Sequence, residues 1–180
     1  MGLSHGGLRQ KTYNAYEETI HVPLVISNPK MFPHPVQTDA LASLIDIFPT
    51  VATLAGITGP EKCALSGVDL SPIIHDAVRH RNNPTATVQD SILFTTDELS
   101  QYIVGPYHVR CLREERWKFV INFDPQGKHD SFHELYDLAN DPMELYNMGC
   151  LGSPYYDEAK TNEMLAKLRA KLAEFGIDGA

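Results

Sequence analysis

Residues 107–148 read YHVRCLREERWKFVINFDPQGKHDSFHELYDLANDPMELYNM, and this stretch decides the fold of the second half of the chain. Tyr107–Leu112 and Arg116–Phe123 are strand-like runs, and the two glutamates at 114 and 115 lie between them. Apolar runs on both sides of a short polar turn are typical of an antiparallel hairpin. Phe132–Leu138 is a candidate for a further strand, so the stretch predicts a small antiparallel sheet.

The residues around this sheet predict one more strand and a closing helix. Ser91–Thr95 is strand-like and precedes the hairpin. Between Asp157 and Phe175 the apolar residues recur at helical spacing on one stripe, and lysines fill the opposite face. We therefore expect residues 86–180 to form a subdomain of antiparallel sheet plus helix.

The first part of the chain has an α/β pattern. His21–Ser27 is a short apolar run that predicts a buried strand, and near-continuous apolar strands belong to sheets covered on both faces. Asp46 is a candidate N-cap for a helix that ends at Gly56. Its predicted buried face carries Ile47, Val51, Leu54 and Ala55.

These patterns predict an α/β fold in two parts. Residues 1–85 would be the truncated end of an α/β domain, because so few strands and helices cannot cover both faces of a parallel sheet. Residues 86–180 would be the antiparallel subdomain. The missing elements predict an open apolar edge through which the isolated chain could self-associate.

Composition excludes some classes of partner. The net charge is −8, from 15 Lys and Arg against 23 Asp and Glu, which disfavours nucleic acid. The chain contains no Cys-x-x-Cys pair among Cys63, Cys111 and Cys150, so it predicts free thiols. No signal peptide and no long apolar segment is present, so we expect no membrane partner and a cytoplasmic location for the chain as written.

Five stretches resemble, in the same order, units of the sulfatases in the alkaline-phosphatase superfamily. They are SHGGLRQKTYNAYEETIHVPLVIS (4–27), SLIDIFPTVATLAGI (43–57), LSGVDLSPII (65–74), ERWKFVIN (115–122) and ELYDLANDPMELYNM (134–148). Together they extend over nearly the whole chain. The resemblance implies the C-terminal part of an arylsulfatase-like or choline-sulfatase-like enzyme that hydrolyses a sulfate ester of a small molecule.

The resemblance also implies a mechanism whose main parts are missing here. In the family, a formylglycine made from Cys or Ser in a Cys/Ser-x-Pro-x-Arg motif is the nucleophile, and a calcium ion or similar divalent cation polarises the sulfate. The sequence has no such motif and lacks the family's metal-binding carboxylate pairs. We therefore expect no catalytic residue, metal site or bound cofactor in this chain, no activity of the chain alone, and Met1 to be internal to a longer protein.

Lys11 and His5 are the candidate substrate-binding residues. Lys11 matches the family lysine that precedes the Tyr-Glu unit and contacts the sulfate, which suits a compact ammonium charge. His5 lies in the glycine loop six residues earlier and could donate a hydrogen bond near the sulfate. The alternatives are an exposed lysine and a histidine that orders its own loop.

Three further pairs are weaker candidates. Glu17 and Glu18 are adjacent and point in different directions, so we interpret them as loop carboxylates that pair with a nearby cation. Asp97 and Glu98 end a strand and could line the rim of a substrate pocket or stabilise a turn. His129 and His133 lie in a loop and a strand, which disfavours a metal site.

Two other functions remain open. One is a non-catalytic binding or assembly module derived from a sulfatase. The other is part of a phosphodiester or phosphonate monoester hydrolase of the same superfamily.

Overall fold

A four-stranded sheet with strand order β1-β2-β3-β4 organises the second half of the chain. The computed structural model describes residues 13–57, 66–97 and 108–177. The strands are β1 (Ser91–Thr96), β2 (His108–Glu114), β3 (Trp117–Phe123) and β4 (Phe132–Asp137). The predicted strands are confirmed, and β2, β3 and β4 pair in antiparallel fashion.

One face of the sheet packs on the C-terminal helix. Side chains alternate between the two faces of a strand, so Phe119 and Ile121 of β3 point the same way. They form a buried core with Leu112, Leu135 and three residues of the helix, which are Met164, Leu168 and Leu172. Burying each of these large apolar side chains contributes roughly 1.5–3 kcal/mol, so this face fixes the fold.

The C-terminal helix runs over Glu158–Glu174, as its apolar stripe predicted. Asp157 precedes it, and its side chain accepts a hydrogen bond of 2.9 Å from the backbone N–H of Lys160. Such a cap satisfies one of the free N–H groups of the first helical turn.

The opposite face of the sheet is covered by residues from the start of the chain. Val109, Cys111 and Val120 form a second buried cluster with Ala15. A one-turn helix, α1 (Glu17–Ile20), follows directly. A sheet face that carries Lys118 and Asn122 is therefore buried because the segment 13–20 lies over it.

The described chain forms two compact units that differ from the predicted division at residue 85. One consists of residues 13–23 and 93–177, and the other of residues 24–92. The compact unit that contains most of the antiparallel sheet thus also includes a segment from the first part of the chain. The boundary between the catalytic domain and the C-terminal subdomain of an intact protein stays a prediction.

The predicted buried strand at His21–Ser27 is wrong for this chain. The segment has no regular secondary structure, and Val25 is 84% exposed. Within the described ranges no neighbouring strand pairs with it, and an unpaired strand in water gains little from an extended backbone.

The helix predicted after Asp46 is present as α2 (Ile47–Leu54), preceded by a 3-10 turn over Leu44–Asp46. Asp46 stands at its N-cap position, but its side chain does not cap α2. Instead its carboxylate accepts hydrogen bonds from the backbone N–H groups of Ser43 and Val68 and from the Gln89 amide. Asp46 therefore joins three loops of the 24–92 unit.

The apolar face of α2 is not buried in the way that the pattern predicted. Ile47 and Val51 are exposed, and Phe48 is 68% exposed. The buried positions are Pro49, Thr50 and Ala52. A further helix, α3, spans Ser71–Arg79, and the C-terminal helix is hereafter α4.

None of the helices in the described ranges is both long enough and apolar enough to cross a membrane.

Candidate functional site

The two candidate substrate-binding residues, Lys11 and His5, lie outside the described residues. Glu98 and Cys63 lie outside them as well. What the structure describes is the segment that immediately follows Lys11, from Tyr13 onward. The contacts between this segment and the sheet are therefore the described contacts that lie nearest to Lys11 in the sequence.

Glu17 anchors this segment through a buried ion cluster. Its carboxylate lies 3.3 Å from the Nζ of Lys118 and 3.1 Å from the Nε of Arg113. Its backbone N–H donates a hydrogen bond of 2.7 Å to Oε2 of Glu144. Lys118 also forms an ion pair with Oε1 of Glu144. We call these four residues the anchor cluster.

The charges of the anchor cluster balance. Arg113 and Lys118 supply two cations, and Glu17 and Glu144 supply two carboxylates. Lys118 is fully buried and Glu144 is 3% exposed. Removing a charge from water costs several kcal/mol, which only close, well-oriented partners offset. The pairing interpretation of Glu17 is thus confirmed, with two cations instead of one.

The two carboxylates respond differently to this environment. Burial alone would raise the pKa of Glu17, but the Arg113 hydrogen bond and the Lys118 charge lower it below its ordinary value. Burial raises the pKa of Glu144, and the Lys118 charge only partly opposes that rise. Glu17 is therefore the more firmly ionised of the two carboxylates.

A second polar group extends the cluster along β3 and β4. Glu134 accepts hydrogen bonds from the Asn122 amide at 2.6 Å and from the Tyr136 hydroxyl at 2.9 Å. The ring of Tyr16 lies 6.2 Å from that of Tyr136. Burial and the Glu134 charge raise the pKa of both tyrosines, so both hydroxyls stay protonated. Tyr16 and Glu17 are consequently held by adjacent parts of the same sheet face.

Asp97, the weaker candidate at the end of β1, takes part in an ion pair with β2. Its Oδ1 contacts the guanidinium of Arg110 and lies 3.0 Å from Nδ1 of His108. Arg110 is buried and stacks over the ring of Phe123 at 5.2 Å. Asp97 itself is half exposed. A role at the rim of a substrate pocket stays a prediction.

The described residues do not fit a calcium ion. Over residues 13–57, 66–97 and 108–177, no group of three His, Cys, Asp or Glu side chains is arranged to bind a metal. His133 instead packs against Phe119, with ring centroids 5.4 Å apart, and burial lowers its pKa.

Sequence reasoning missed the role of Lys118, Arg113 and Glu144. A signal was available, because Lys118 interrupts the otherwise apolar run WKFVI at a position that faces the side opposite Phe119. A lysine on a strand face usually indicates exposure to solvent. The covering segment 13–20, which is distant in sequence, contributes to making this face interior.

Comparison with known proteins identifies the family to which this chain belongs. The family described as "N-sulphoglucosamine sulphohydrolase, C-terminal" matches residues 7–177. Arylsulfatase K from Xenopus laevis is 29% identical over 74% of this chain and 23% of its own length. Steryl-sulfatase from Rattus norvegicus is 28% identical over 96% of this chain and 32% of its own length.

A bacterial relative and a solved structure show the same partial coverage. Delta 4,5-hexuronate-2-O-sulfatase from Bacteroides thetaiotaomicron is 25% identical over 97% of this chain and 32% of its own length. A protein solved in complex with its substrate D-glucosamine-2-N,6-O-disulfate aligns with 72% of this chain and 23% of its own, at 19% identity and a TM-score of 0.49.

The chain thus spans about a quarter to a third of the length of the curated relatives it matches. The family match covers almost all of its residues and includes both compact units. The chain belongs to the sulfatase family, of which it represents the C-terminal portion.

Proposed function

We propose that this chain is the C-terminal part of a sulfuric-ester hydrolase and that Lys11 and His5 contact the sulfate group of its substrate. The observation that carries the proposal is the family match over residues 7–177, which includes Lys11. His5 precedes the matched residues, and its role rests on the resemblance of residues 4–27 alone. The anchor cluster supports it, because Glu17, six positions after Lys11, is held by three charged side chains, those of Arg113, Lys118 and Glu144.

The chemistry of sulfate esters explains why a lysine suits this role. Cleavage of the ester bond develops negative charge on the leaving oxygen and leaves a sulfate anion, so the site needs cations and a proton donor. An ammonium group supplies a compact charge, and a histidine supplies a donor near neutral pH. The substrate in this proposal is a small molecule that carries a sulfate ester.

The nucleophile and the metal are assigned to sequence outside these 180 residues. No Cys-x-Pro-x-Arg or Ser-x-Pro-x-Arg occurs in the chain, and the described residues hold no metal-binding group. In this proposal, the formylglycine and the calcium ion belong to the upstream part of a longer protein. Alone, the 180 residues would bind no cofactor and would not turn over substrate.

The test is a comparison of ester classes and a lysine variant in the protein of native length, purified from its source. We expect turnover of 4-nitrophenyl sulfate to exceed that of bis(4-nitrophenyl) phosphate and 4-nitrophenyl phenylphosphonate. Lys11→Ala should lower kcat/KM for the sulfate about 10- to 100-fold, since a hydrogen bond to a charged group contributes about 1.5–3 kcal/mol. The exposed Lys128→Ala is the matched control and should leave kcat/KM unchanged.

The outcomes separate the candidate functions. Preference for the phosphonate or the phosphodiester would assign the chain to a different hydrolase of the superfamily. No turnover of any ester by the native-length protein would favour a non-catalytic binding or assembly module. Equal kcat/KM for Lys11→Ala and Lys128→Ala would remove Lys11 from the site.

A further inference from the structure

Residues 13–20 lie over the face of the sheet that is opposite α4, and we call them the strap. The backbone hydrogen bonds that close its single helical turn stay local and end on the carbonyl oxygens of Tyr16 and Glu17. The backbone N–H of Glu17 donates instead to the Glu144 carboxylate, at 2.7 Å. The strap therefore covers the sheet without adding a strand to it.

The apolar contact between the strap and the sheet is small. Ala15 is buried in the cluster with Val109, Cys111 and Val120, and Ile20 is partly buried against the same cluster. The other face of the sheet buries seven larger apolar side chains with α4. Because hydrophobic stabilisation grows with the apolar area removed from water, the strap separates from the sheet at a much smaller cost than α4 does.

The anchor cluster holds the strap through charges that water also stabilises. Glu17 contacts the fully buried Lys118 at 3.3 Å and Arg113 at 3.1 Å. The attraction between buried charges is largely offset by the hydration that they lose. When the strap lifts, water solvates Glu17 and Lys118 again, so the open state regains hydration that a purely apolar contact would not return. This balance favours opening of the strap over unfolding of the sheet.

The chain that leaves the strap is free to act as a hinge. Residues 21–27 have no regular secondary structure, and each of them is exposed. Their backbone can therefore change its φ and ψ angles without breaking core contacts. Together with the small apolar contact under the strap, this segment has the features of a region that opens locally.

Closure of the strap hides a thiol. Cys111 is fully buried in the cluster that Ala15 completes. Burial raises the pKa of the Cys111 thiol to about 12, so in the closed state the group stays protonated and reacts slowly with electrophiles. Reaction at Cys111 therefore reports whether the face under the strap is open.

We propose that the strap opens and closes over the sheet as one unit, held closed by the anchor cluster, while the sheet and α4 stay folded. The strap thereby controls access to the sheet face that carries Cys111 and Lys118. This conformational change does not depend on sulfate chemistry, so it is tested separately from the proposed function.

The test is alkylation of Cys111 by iodoacetamide in the native-length protein, followed by mass spectrometry of the peptide that contains this residue. We expect slow labelling at a rate that is nearly independent of urea concentration below the unfolding transition, because a local opening exposes little new surface. Cys150 is only partly buried and provides an internal reference for the reagent.

A charge-removing variant shows whether the anchor cluster holds the strap. Glu17→Gln keeps the size of the side chain but removes the charge that contacts Lys118 and Arg113. Since hydrogen bonds between charged groups are the stronger ones, we expect labelling of Cys111 to become about 10-fold faster or more, still with little dependence on urea. Arg113→Lys retains a cation but loses the two-nitrogen contact with Glu17, so it should speed labelling by a smaller factor.

A matched control removes a carboxylate charge elsewhere in the same unit. Asp137 pairs with Arg116 through two hydrogen bonds, at 2.8 and 2.6 Å, and lies outside the anchor cluster. Asp137→Asn should leave the labelling rate of Cys111 unchanged.

Three results would overturn the proposal. One is a labelling rate that rises with urea as steeply as global unfolding, measured by exchange of the slowest β3 amides, since Cys111 would then be reached only when the sheet unfolds. Another is the absence of Cys111 labelling below the unfolding transition. The third is an equal labelling rate in Glu17→Gln and Asp137→Asn, which would show that the anchor cluster does not hold the strap.

Discussion

At the scale of single residues, Lys118 is the best example of a side chain whose role depends on distant sequence. The alternation of β3 predicted which face it occupies, but a lysine on that face is expected to reach solvent. In the structure it is fully buried between Glu17 and Glu144. The burial follows from a segment about 100 positions earlier, which no local pattern around Lys118 reveals.

Removing this lysine should destabilise the antiparallel unit. Lys118→Met leaves the buried Glu144 carboxylate without its cation, while Glu17 keeps Arg113, and breaking a buried pair costs about 3–5 kcal/mol. The double variant Lys118→Met/Glu144→Leu should recover part of that loss, because the unpaired buried carboxylate is removed. Native-state hydrogen exchange of the β3 amides measures both free energies. Equal stability of the single variant and the parent protein would contradict the buried ion pair.

The pair of Arg116 and Asp137 predicts a dependence on pH. Hydrogen bonds from Arg116 lower the pKa of Asp137 from 3.8 to about 2. A carboxyl group with a depressed folded-state pKa contributes stability above its unfolded pKa, and loses it as the pH falls through the folded value. We therefore expect this contribution to disappear between about pH 4 and pH 2. NMR titration of the Asp137 carboxyl carbon reports the pKa directly, and a midpoint near 4 would rule out the pairing.

At the scale of elements, the sequence correctly predicted the strands and the helix whose packing partners lie in the same half of the chain. β2, β3 and β4 are adjacent in sequence and pair with each other, and α4 brings an apolar stripe that fits their core. The segment His21–Ser27 has the same apolar, β-branched character but no partner strand in the described part of the chain. Strand formation there depends on residues that a local pattern does not contain.

The loop at Gly67 packs closely against the backbone of Ile45. A Cβ atom at this position would lie 2.2 Å from the carbonyl oxygen of Ile45, a backbone atom that cannot easily move. Gly67→Ala should therefore destabilise the 24–92 unit by about 1–3 kcal/mol or more.

Gly56 provides the comparison for Gly67. A Cβ atom there meets no atom within 4 Å, but the residue has a φ of +74°. Gly56→Ala should cost only the backbone strain of about 1–2 kcal/mol. Hydrogen exchange of the α2 amides distinguishes the two variants. A smaller loss for Gly67→Ala than for Gly56→Ala would show that the close approach to Ile45 is absent.

At the scale of the whole molecule, the 24–92 unit exposes a group of apolar side chains in and before α2, of which the helical pattern predicted Ile47 and Val51 to be buried. The group comprises Leu44, Ile45, Ile47, Phe48 and Val51. Contiguous exposed apolar patches of this kind mark interaction surfaces. The chain spans only about a quarter to a third of the length of its curated relatives, and we expect this surface to take part in contacts with other protein chains.

The isolated 180-residue chain should therefore self-associate through this surface. We expect it to bind a hydrophobic dye and to sediment as a mixture of species. Phe48→Ser combined with Val51→Ser should reduce both effects, whereas the exposed pair Lys128→Ser and Gln126→Ser, in the other compact unit, should reduce neither. A dye-silent monomer with a sharp unfolding transition would contradict the inference.

Packing between distant parts of the chain also explains which features of the candidate site the sequence could not predict. The family resemblance and the position of Lys11 follow from short motifs that local sequence contains. The anchor cluster joins three of these motifs, and their convergence depends on the packing of residues 13–20 against the sheet. The sequence therefore predicts that Lys11 contacts sulfate, but it does not show how residues 13–20, which follow, are held against the sheet.

The most direct test of the account is the release of inorganic sulfate from 4-nitrophenyl sulfate, measured in parallel for the native-length protein and for the isolated 180 residues. We predict sulfate release by the native-length protein and none by the isolated chain. Release by the isolated chain would show that its own residues suffice for catalysis. Absence of release by the native-length protein, across a panel of sulfate esters, would contradict the assignment of this chain to a working sulfatase.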